Sequence, residues 1–321
     1  MSIISWNCRG LGNPRTVRIL NRLVKDKCPS LVFLMETKCS KARIETVKRC
    51  IKFDSCLVVD SKGSSGGLAM LWKDDVKVQL FNFSRWHISV YVKTSANETP
   101  WMLTGFYGHP MTSKRAQSWA LLRVLKPTAP TAWMCIGDFN EITSQSEKMG
   151  ALIRPYKQLE AFREAIEFCD LTGLNTRGLK FTWSNRRSGR GFTKERLDRG
   201  LANEEWNMRF HNATCMVLPT IKSDHSPLVV SLVSRSLESG RNFSRFRFEA
   251  AWSLKTECTA IIQAAWSKAT GGSSVISGKL ANCSKALQHW NSTRRKEEQG
   301  SLRQKMKRIA DLQDDDMGNH G

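Results

Sequence analysis

The ten cysteines, at positions 8, 28, 39, 50, 56, 135, 169, 215, 258 and 283, include no Cys-x-x-Cys pair. Structural zinc sites are built from closely spaced thiolates, so this spacing argues against a zinc-held domain. No apolar run approaches the roughly 18 residues a bilayer-crossing helix needs. The N-terminus lacks the charged, apolar and small-residue succession of a secretory leader. The cysteines therefore read as reduced core thiols of an intracellular protein, expected in the nucleus or cytoplasm and away from membranes. Internal repeats and low-complexity tracts are lacking too, which sets aside solenoids and arrays. Acidic groups are in short supply: 29 Asp and Glu stand against 50 Lys and Arg, a formal net charge of +21.

Such an imbalance points to a polyanionic partner, with nucleic acid the first candidate. Residues 236–321 carry 14 basic and 9 acidic groups, net +5, which leaves +16 for residues 1–235. The positive charge belongs mainly to the larger N-terminal part, as expected for a phosphate-binding surface rather than a polycationic arm.

What is abundant is short apolar runs of strand length. They cover Ser2–Trp6, Leu31–Met35, Cys56–Val59, Leu68–Trp72, Val76–Phe81, His87–Val92, Trp101–Phe106, Trp133–Ile136, Lys180–Trp183, Thr214–Leu218 and Leu228–Val233. Val, Ile, Phe and Trp dominate them. Helical periodicity appears in Thr16–Val24, Ser113–Leu125 and Tyr156–Cys169. Many strands with fewer helices between them predict an α/β domain of two sheets packed face to face, helices outside. The polar stretch Ser234–Asn242 follows the last strand-like run, so a domain is expected over residues 1–233 and a helical connector or tail over 234–321. In that tail Leu302, Met306, Ile309 and Leu312 share one helix face.

Polar residues sit where these strands end. Asn7 follows Ser2–Trp6, Glu36 follows Leu31–Met35, and Tyr107 follows Trp101–Phe106. Asp138 and Asn140 follow Trp133–Ile136, while Asp224 and His225 precede the final strand. Each taken alone reads first as a turn residue. Together they form a set that a rigid scaffold can gather at one edge. Cleaving a phosphodiester requires an activated water, charge neutralisation at the phosphoryl oxygens and hydrogen-bond donors. Glu36 is a hard oxygen ligand suited to Mg²⁺. Asp138 can orient or deprotonate water, and Asn7, Asn140, Tyr107 and His225 can donate to a phosphate. The run Gly63–Gly67 lacks the Lys-Ser/Thr ending of a P-loop and is read as a turn into Leu68–Trp72. His109 precedes Pro110, which ends a strand.

Six ordered words carry a resemblance: Trp6-Asn7-Cys8-Arg9-Gly10, Met35-Glu36-Thr37-Lys38, Gly105-Phe106-Tyr107-Gly108, Gly137-Asp138-Phe139-Asn140, Arg196-Leu197-Asp198 and Ser223-Asp224-His225-Ser226-Pro227. Across residues 1–233 the sequence resembles the endonuclease/exonuclease/phosphatase superfamily, and more narrowly the endonuclease of plant LINE-type (non-LTR) retrotransposons. Trp6–Gly12, Phe106–Pro110, Gly137–Ile142, Phe181–Asn185, Arg196–Arg199 and Arg245–Glu249 carry the narrower likeness. The last of these resembles the start of a connector towards a reverse transcriptase.

The resemblance implies a four-layer α/β sandwich of two mixed sheets and an enzyme that nicks DNA to leave a 3′-hydroxyl. It implies Glu36 as principal metal ligand with Asn7 and Asp224 beside it, holding Mg²⁺ or Mn²⁺. Asp138 would activate water, Asn140 and Tyr107 would address the phosphate, and His225 would contact it while oriented by Asp198. Arg9, Lys38 and Arg199 are the expected DNA contacts. Arg9 stands where repair-type relatives often carry an acid near the metal, so either a phosphate contact or a plain surface position suits it. Two other readings stay open: a phosphatase acting on a soluble or lipid phosphate ester, and a nucleic-acid-binding remnant with a decayed site. Target sequence and oligomeric state are not readable from the sequence.

Overall fold

A computed structural model describes residues 1–232 apart from 64, 96, 151, 221 and 222. It also describes 252, 255–267, 279–280, 282–287, 289–291, 293–294 and 304. The chain divides into two compact units, Met1–Arg235 and Ser236–Asn319. The expected boundary stretch 234–242 and the apolar helix face at 302–312 lie outside the described residues.

In the first unit, strands β1 Ser2–Asn7, β2 Leu31–Met35, β3 Ser55–Val59, β4 Leu68–Trp72, β5 Lys77–Ser84, β6 His87–Lys93, β7 Trp101–Tyr107 and β8 Trp133–Asp138 come first. Helices α1 Pro14–Lys27, α2 Lys41–Ile51 and α3 Arg115–Val124 lie between them. Next come β9 Lys148–Met149, α4 Tyr156–Phe168, β10 Thr172–Gly173, β11 Thr176–Gly178, β12 Trp183–Ser184 and β13 Lys194–Glu195. The unit closes with β14 Asp198–Ala202, α5 Glu204–Arg209, β15 Thr214–Val217 and β16 Leu228–Ser231.

Seven strands form one sheet in the order β11-β15-β16-β1-β2-β4-β3, and six form another in the order β10-β14-β8-β7-β6-β5. Each sheet is mixed: β1 runs parallel to β2, and β7 runs parallel to β8, among antiparallel neighbours. The sheets face one another closely enough that a Cβ on Gly105 would lie 2.5 Å from the Phe33 ring. Helices cover the outer faces. Val17, Leu20 and Val24 of α1 and Ile44, Val47 and Ile51 of α2 pack on β1, β2 and β4. Phe162 and Ala165 of α4 join Trp119 and Leu122 of α3 against β7 and β8. The result is the expected four-layer α/β sandwich.

Local chemistry sets the elements. Pro14 opens α1 where its missing N–H costs nothing, Asn13 accepts the Arg15 amide at 2.9 Å, and Cys28 closes the helix in a left-handed turn. The structure differs from the sequence reading at Lys180–Trp183, where only Trp183–Ser184 pairs as a strand. Thr182 explains this: its amide donates to the Glu195 carbonyl and its carbonyl accepts from Ser226. Its hydroxyl meanwhile accepts the Leu197 and Asp198 amides, so the segment is a clamp rather than a ladder. A third small sheet, β12-β13-β9, was not anticipated, since two-residue strands carry no periodicity.

In the second unit, α6 Thr256–Ser267 buries Cys258 with Trp252 and Leu287. The Trp252 and Trp290 rings meet edge to face at 5.9 Å.

Candidate active site

Two of the parallel pairs, β1/β2 in one sheet and β7/β8 in the other, end at the same edge of the sandwich, and the polar set lies there. Register fixes it: Asn7 pairs with Met35 just before Glu36, Tyr107 pairs with Asp138, and Asp198 lies directly across from Asp138. The Asp138 amide donates to the Met35 thioether at 3.2 Å, tying one sheet end to the other. Gly137 adopts φ +153°, and a Cβ there would fall 1.9 Å from the Phe106 carbonyl oxygen. Only glycine lets β8 come this close to β7 while aiming Asp138 inward.

Two clusters result. In the first, Asp138, Asp198 and His225 are 0, 2 and 3 % exposed, so the whole group is shielded from bulk water. His225 Nδ1 sits 2.9 Å from Asp198 Oδ2, while its Nε2 is 3.7 Å from Asp138 Oδ2, too far for a hydrogen bond. Burial works against a charged imidazole here. The Asp198 and Asp138 carboxylates outweigh it, pushing His225 up to about 9. Asp138 is pushed up to about 7 by burial, with Asp198 adding to the effect and His225 opposing it. Asn140, in a left-handed turn at φ 55°, donates its amide to Asp138 Oδ1 at 2.8 Å and its Nδ2 to the Gly108 carbonyl at 2.8 Å.

In the second cluster, Glu36 Oε1 accepts from Asn7 Nδ2 at 3.2 Å and from the Tyr107 hydroxyl at 2.9 Å. Its Oε2 faces Lys38 Nζ at 3.4 Å and Arg9 Nε at 3.6 Å. Burial would raise its pKa, but these two donors and two cations bring it below the ordinary carboxylate value. Asn7 Nδ2 also donates to Asp138 Oδ2 at 3.0 Å, joining the clusters. Asp224 Oδ2 accepts from Arg9 Nη1 at 2.5 Å and from the Trp183 indole at 3.1 Å. Both clusters line one cleft of about 580 Å³, which Arg9, Glu36, Asn140 and His225 share with Arg115, Lys148 and Arg154.

Residues 4–225 match the profile of the Endonuclease/Exonuclease/phosphatase family. The chain belongs to this family. Among curated proteins no sequence matches it. Among solved structures, an AP endonuclease from Archaeoglobus fulgidus is 18% identical, with a TM-score of 0.56 over 72% of this chain and 98% of that one. The AP endonuclease LMAP from Leishmania major is 17% identical, with a TM-score of 0.55 over 71% and 86%. The endonuclease domain of TRAS1, a telomere-specific non-LTR retrotransposon, is 15% identical, with a TM-score of 0.54 over 73% and 99%. At these identities the likeness establishes the shared fold, a nuclease and phosphatase sandwich.

Nucleases of this family use divalent metals, and the second cluster fits such an ion. Asn7 Oδ1 and Asp224 Oδ1 are buried with no hydrogen-bond partner, and two cationic side chains already crowd Glu36. Carboxylate and amide oxygens are hard donors that suit Mg²⁺ or Mn²⁺. Asp138, Asp198 and His225 also lie close enough together to share an ion. The three groups are at most 3 % exposed, however, whereas Mg²⁺ keeps several waters, so the more open second cluster suits the ion better.

The structure thus gathers Asn7, Arg9, Glu36, Lys38, Tyr107, Asp138, Asn140, Asp198, Asp224 and His225. It does not add Arg199, expected as a DNA contact. Arg199 is 6 % exposed, pairs with Glu147 at 2.9 Å and donates to the Glu141 and Arg196 carbonyls, so it braces β14 from within. Tyr107 spends its hydroxyl proton on Glu36 rather than presenting it to a phosphate. His109 packs its ring against Trp86, tilted by 37° at a centroid distance of 4.5 Å, and accepts the Met111 amide, a structural role. The sequence reading missed three supports. Ser223 donates to the Asn7 carbonyl and accepts the His225 amide, Thr182 holds Asp198, and Trp183 holds Asp224. All three lie inside words singled out for other residues, which was the only available signal.

Proposed function

We propose that this cleft nicks DNA as a divalent-metal-dependent endonuclease of the LINE-retrotransposon kind, leaving a 3′-hydroxyl. The observation that carries the proposal is the pairing of a buried His225–Asp198 couple with Asp138 and Asn140 beside a partly exposed Glu36. Asp138, pushed up to about 7, accepts the proton of the attacking water near neutral pH. His225, pushed up to about 9, is an imidazolium whose Nε2 proton has no partner within hydrogen-bond distance and points a charged donor at a phosphoryl oxygen. Asp198 fixes the ring orientation through Nδ1, and Asn140 fixes the Asp138 carboxylate. Glu36, with Asn7 and Asp224, would hold Mg²⁺ or Mn²⁺, which supplies neutralisation of the charge building on the phosphoryl oxygens. Arg9 and Lys38 flank Glu36 at the surface and are placed to meet flanking phosphates.

DNA as substrate is supported by the net +16 of residues 1–235 and by the retrotransposon-like sequence words. The structurally similar proteins, two AP endonucleases and a retrotransposon endonuclease domain, agree with it. Supercoiled plasmid with Mg²⁺ should be converted to nicked circles, and EDTA should stop the conversion. Undiminished nicking in EDTA would remove the metal from the mechanism. Faster hydrolysis of an inositol phosphate than of DNA would favour the phosphatase reading instead.

A further inference from the structure

The lip of the cleft carries two aliphatic residues that stand out in solvent. Leu152 and Ile153 line the same cavity as His225 and Glu36, yet each is 81 % exposed. Charged groups line much of the rest, Arg9, Arg115, Lys148 and Arg154 against Glu36 and Glu195, and the other apolar lining groups include Pro110, Pro155, Trp183 and the buried Leu197. Aliphatic side chains gain by leaving water, so a pair held out beside a reactive cleft is poised to bury itself in whatever the cleft binds. The neighbouring residue is firmly tied. Arg154, next in the chain, pairs with Glu141 at 3.3 Å and with Glu195 at 2.5 Å. Its amide donates to the Gln145 side chain at 3.1 Å, and its carbonyl accepts from the same amide group.

Glu141 is 1 % exposed and follows Asn140 directly, so the tie anchors the loop to the catalytic strand end. Glu195 is bound again by Lys148 at 2.7 Å, and Glu141 by Arg115 at 2.7 Å. Buried pairs of this kind are costly to break and hold geometry firmly. A stapled loop therefore presents two bulky apolar side chains beside the reacting groups.

We propose that Leu152 and Ile153 form a wedge that enters the base stack of duplex DNA next to the phosphate being cut. The proposal rests on the DNA-nicking reading of the cleft. Charge selects this occupant: a polyanion drawn by the net +16 of residues 1–235 and by the half-exposed Arg9 meets the two aliphatic residues on its way to His225. Two side chains are too few for a protein interface, which needs on the order of 1,200 Å². They match the apolar insertions that unstack a base step and bend the duplex onto the protein. The bend would bring the scissile phosphate down from the lip towards Asp138 and His225.

The test is a duplex oligonucleotide with 2-aminopurine placed beside the mapped nick, read before metal is added. The unaltered protein should raise 2-aminopurine fluorescence, the signature of unstacking. The double variant L152S/I153S should not, and should nick the paired duplex at least about fivefold more slowly. That deficit should vanish on a duplex carrying a mismatch at the same step, where unstacking is already done. L152M/I153M, which keeps the apolar bulk, should behave as the unaltered protein. Unchanged fluorescence and rate in L152S/I153S would overturn the wedge. So would an equal loss on paired and mismatched duplexes, which would point to a docked protein partner or a positioning role. Failure of the unaltered protein to nick DNA with Mg²⁺ would overturn the DNA reading itself, a distinct result.

Discussion

At the scale of single residues, the site depends on opposing shifts in shared surroundings. Asp138 and His225 both titrate above their ordinary values, but for different reasons. Burial disfavours a charged Asp138, whereas two carboxylates favour a charged His225. Between about pH 7 and about pH 9 the pair is therefore Asp138 ionised and His225 protonated, the combination the reaction needs. Nicking should rise as pH passes about 7, fall as it passes about 9, and follow a bell between. Asp198 contributes to both edges, raising Asp138 by repulsion and His225 by attraction. Asp198→Asn should accordingly move both limbs of the bell towards acid and lower the maximum roughly a hundredfold. A profile whose alkaline limb stays at about 9 in Asp198→Asn would show that another charge holds His225.

At the scale of elements, the strand ends deliver the chemistry and strained turns aim it. Arg9, Glu36, Lys38 and Asn140 all have left-handed backbone, with φ between 48° and 55°. Such conformations cost on the order of 1 kcal/mol or more for non-glycine residues and persist only where neighbours enforce them. Around Glu36 the enforcing element is the glycine loop read from sequence as a plain turn. The carbonyls of Gly66 and Gly67 accept the Lys38 and Thr37 amides at 3.0 and 3.1 Å. Gly67 itself has φ +88°, and a Cβ there would lie 2.4 Å from the Thr37 hydroxyl oxygen. Gly67→Ala should therefore displace Glu36, cut nicking at saturating DNA at least about tenfold, and cost about 1–3 kcal/mol in stability. Normal activity with a lowered melting temperature would mean that the loop only stabilises the fold.

The same scale shows what the sequence made legible. The strand-end positions of Asn7, Glu36, Tyr107, Asp138 and His225 followed from period and punctuation, because apolar runs end where backbone leaves the core. The Arg154 staple and the left-handed turns did not, since both depend on contacts between segments far apart in the chain. Helix α2 was missed although Ile44, Val47 and Ile51 have helical spacing. Basic residues between them masked the pattern. Arg199 was misjudged because an arginine in a basic chain reads as surface until Glu147 is placed beside it.

At the scale of the whole molecule, every described group of the site lies in the first unit. The last strand that positions it is β16, paired to β1 and β15. We therefore expect a protein ending at Ser234 to fold and to retain the chemistry. Its affinity is a separate matter, because residues 236–321 add a net +5 to the +16 of residues 1–235. Each phosphate contact releases counterions and adds about −0.9 to the slope of log affinity against log salt. Both proteins should thus bind duplex DNA with steep salt dependence and little regard for sequence, the shorter one with an equal or shallower slope. Nicking at saturating DNA should be the same for both. A slope near zero in the full chain would remove the electrostatic footprint. A shorter protein that unfolds at markedly lower temperature would place part of the catalytic unit's core beyond Ser234.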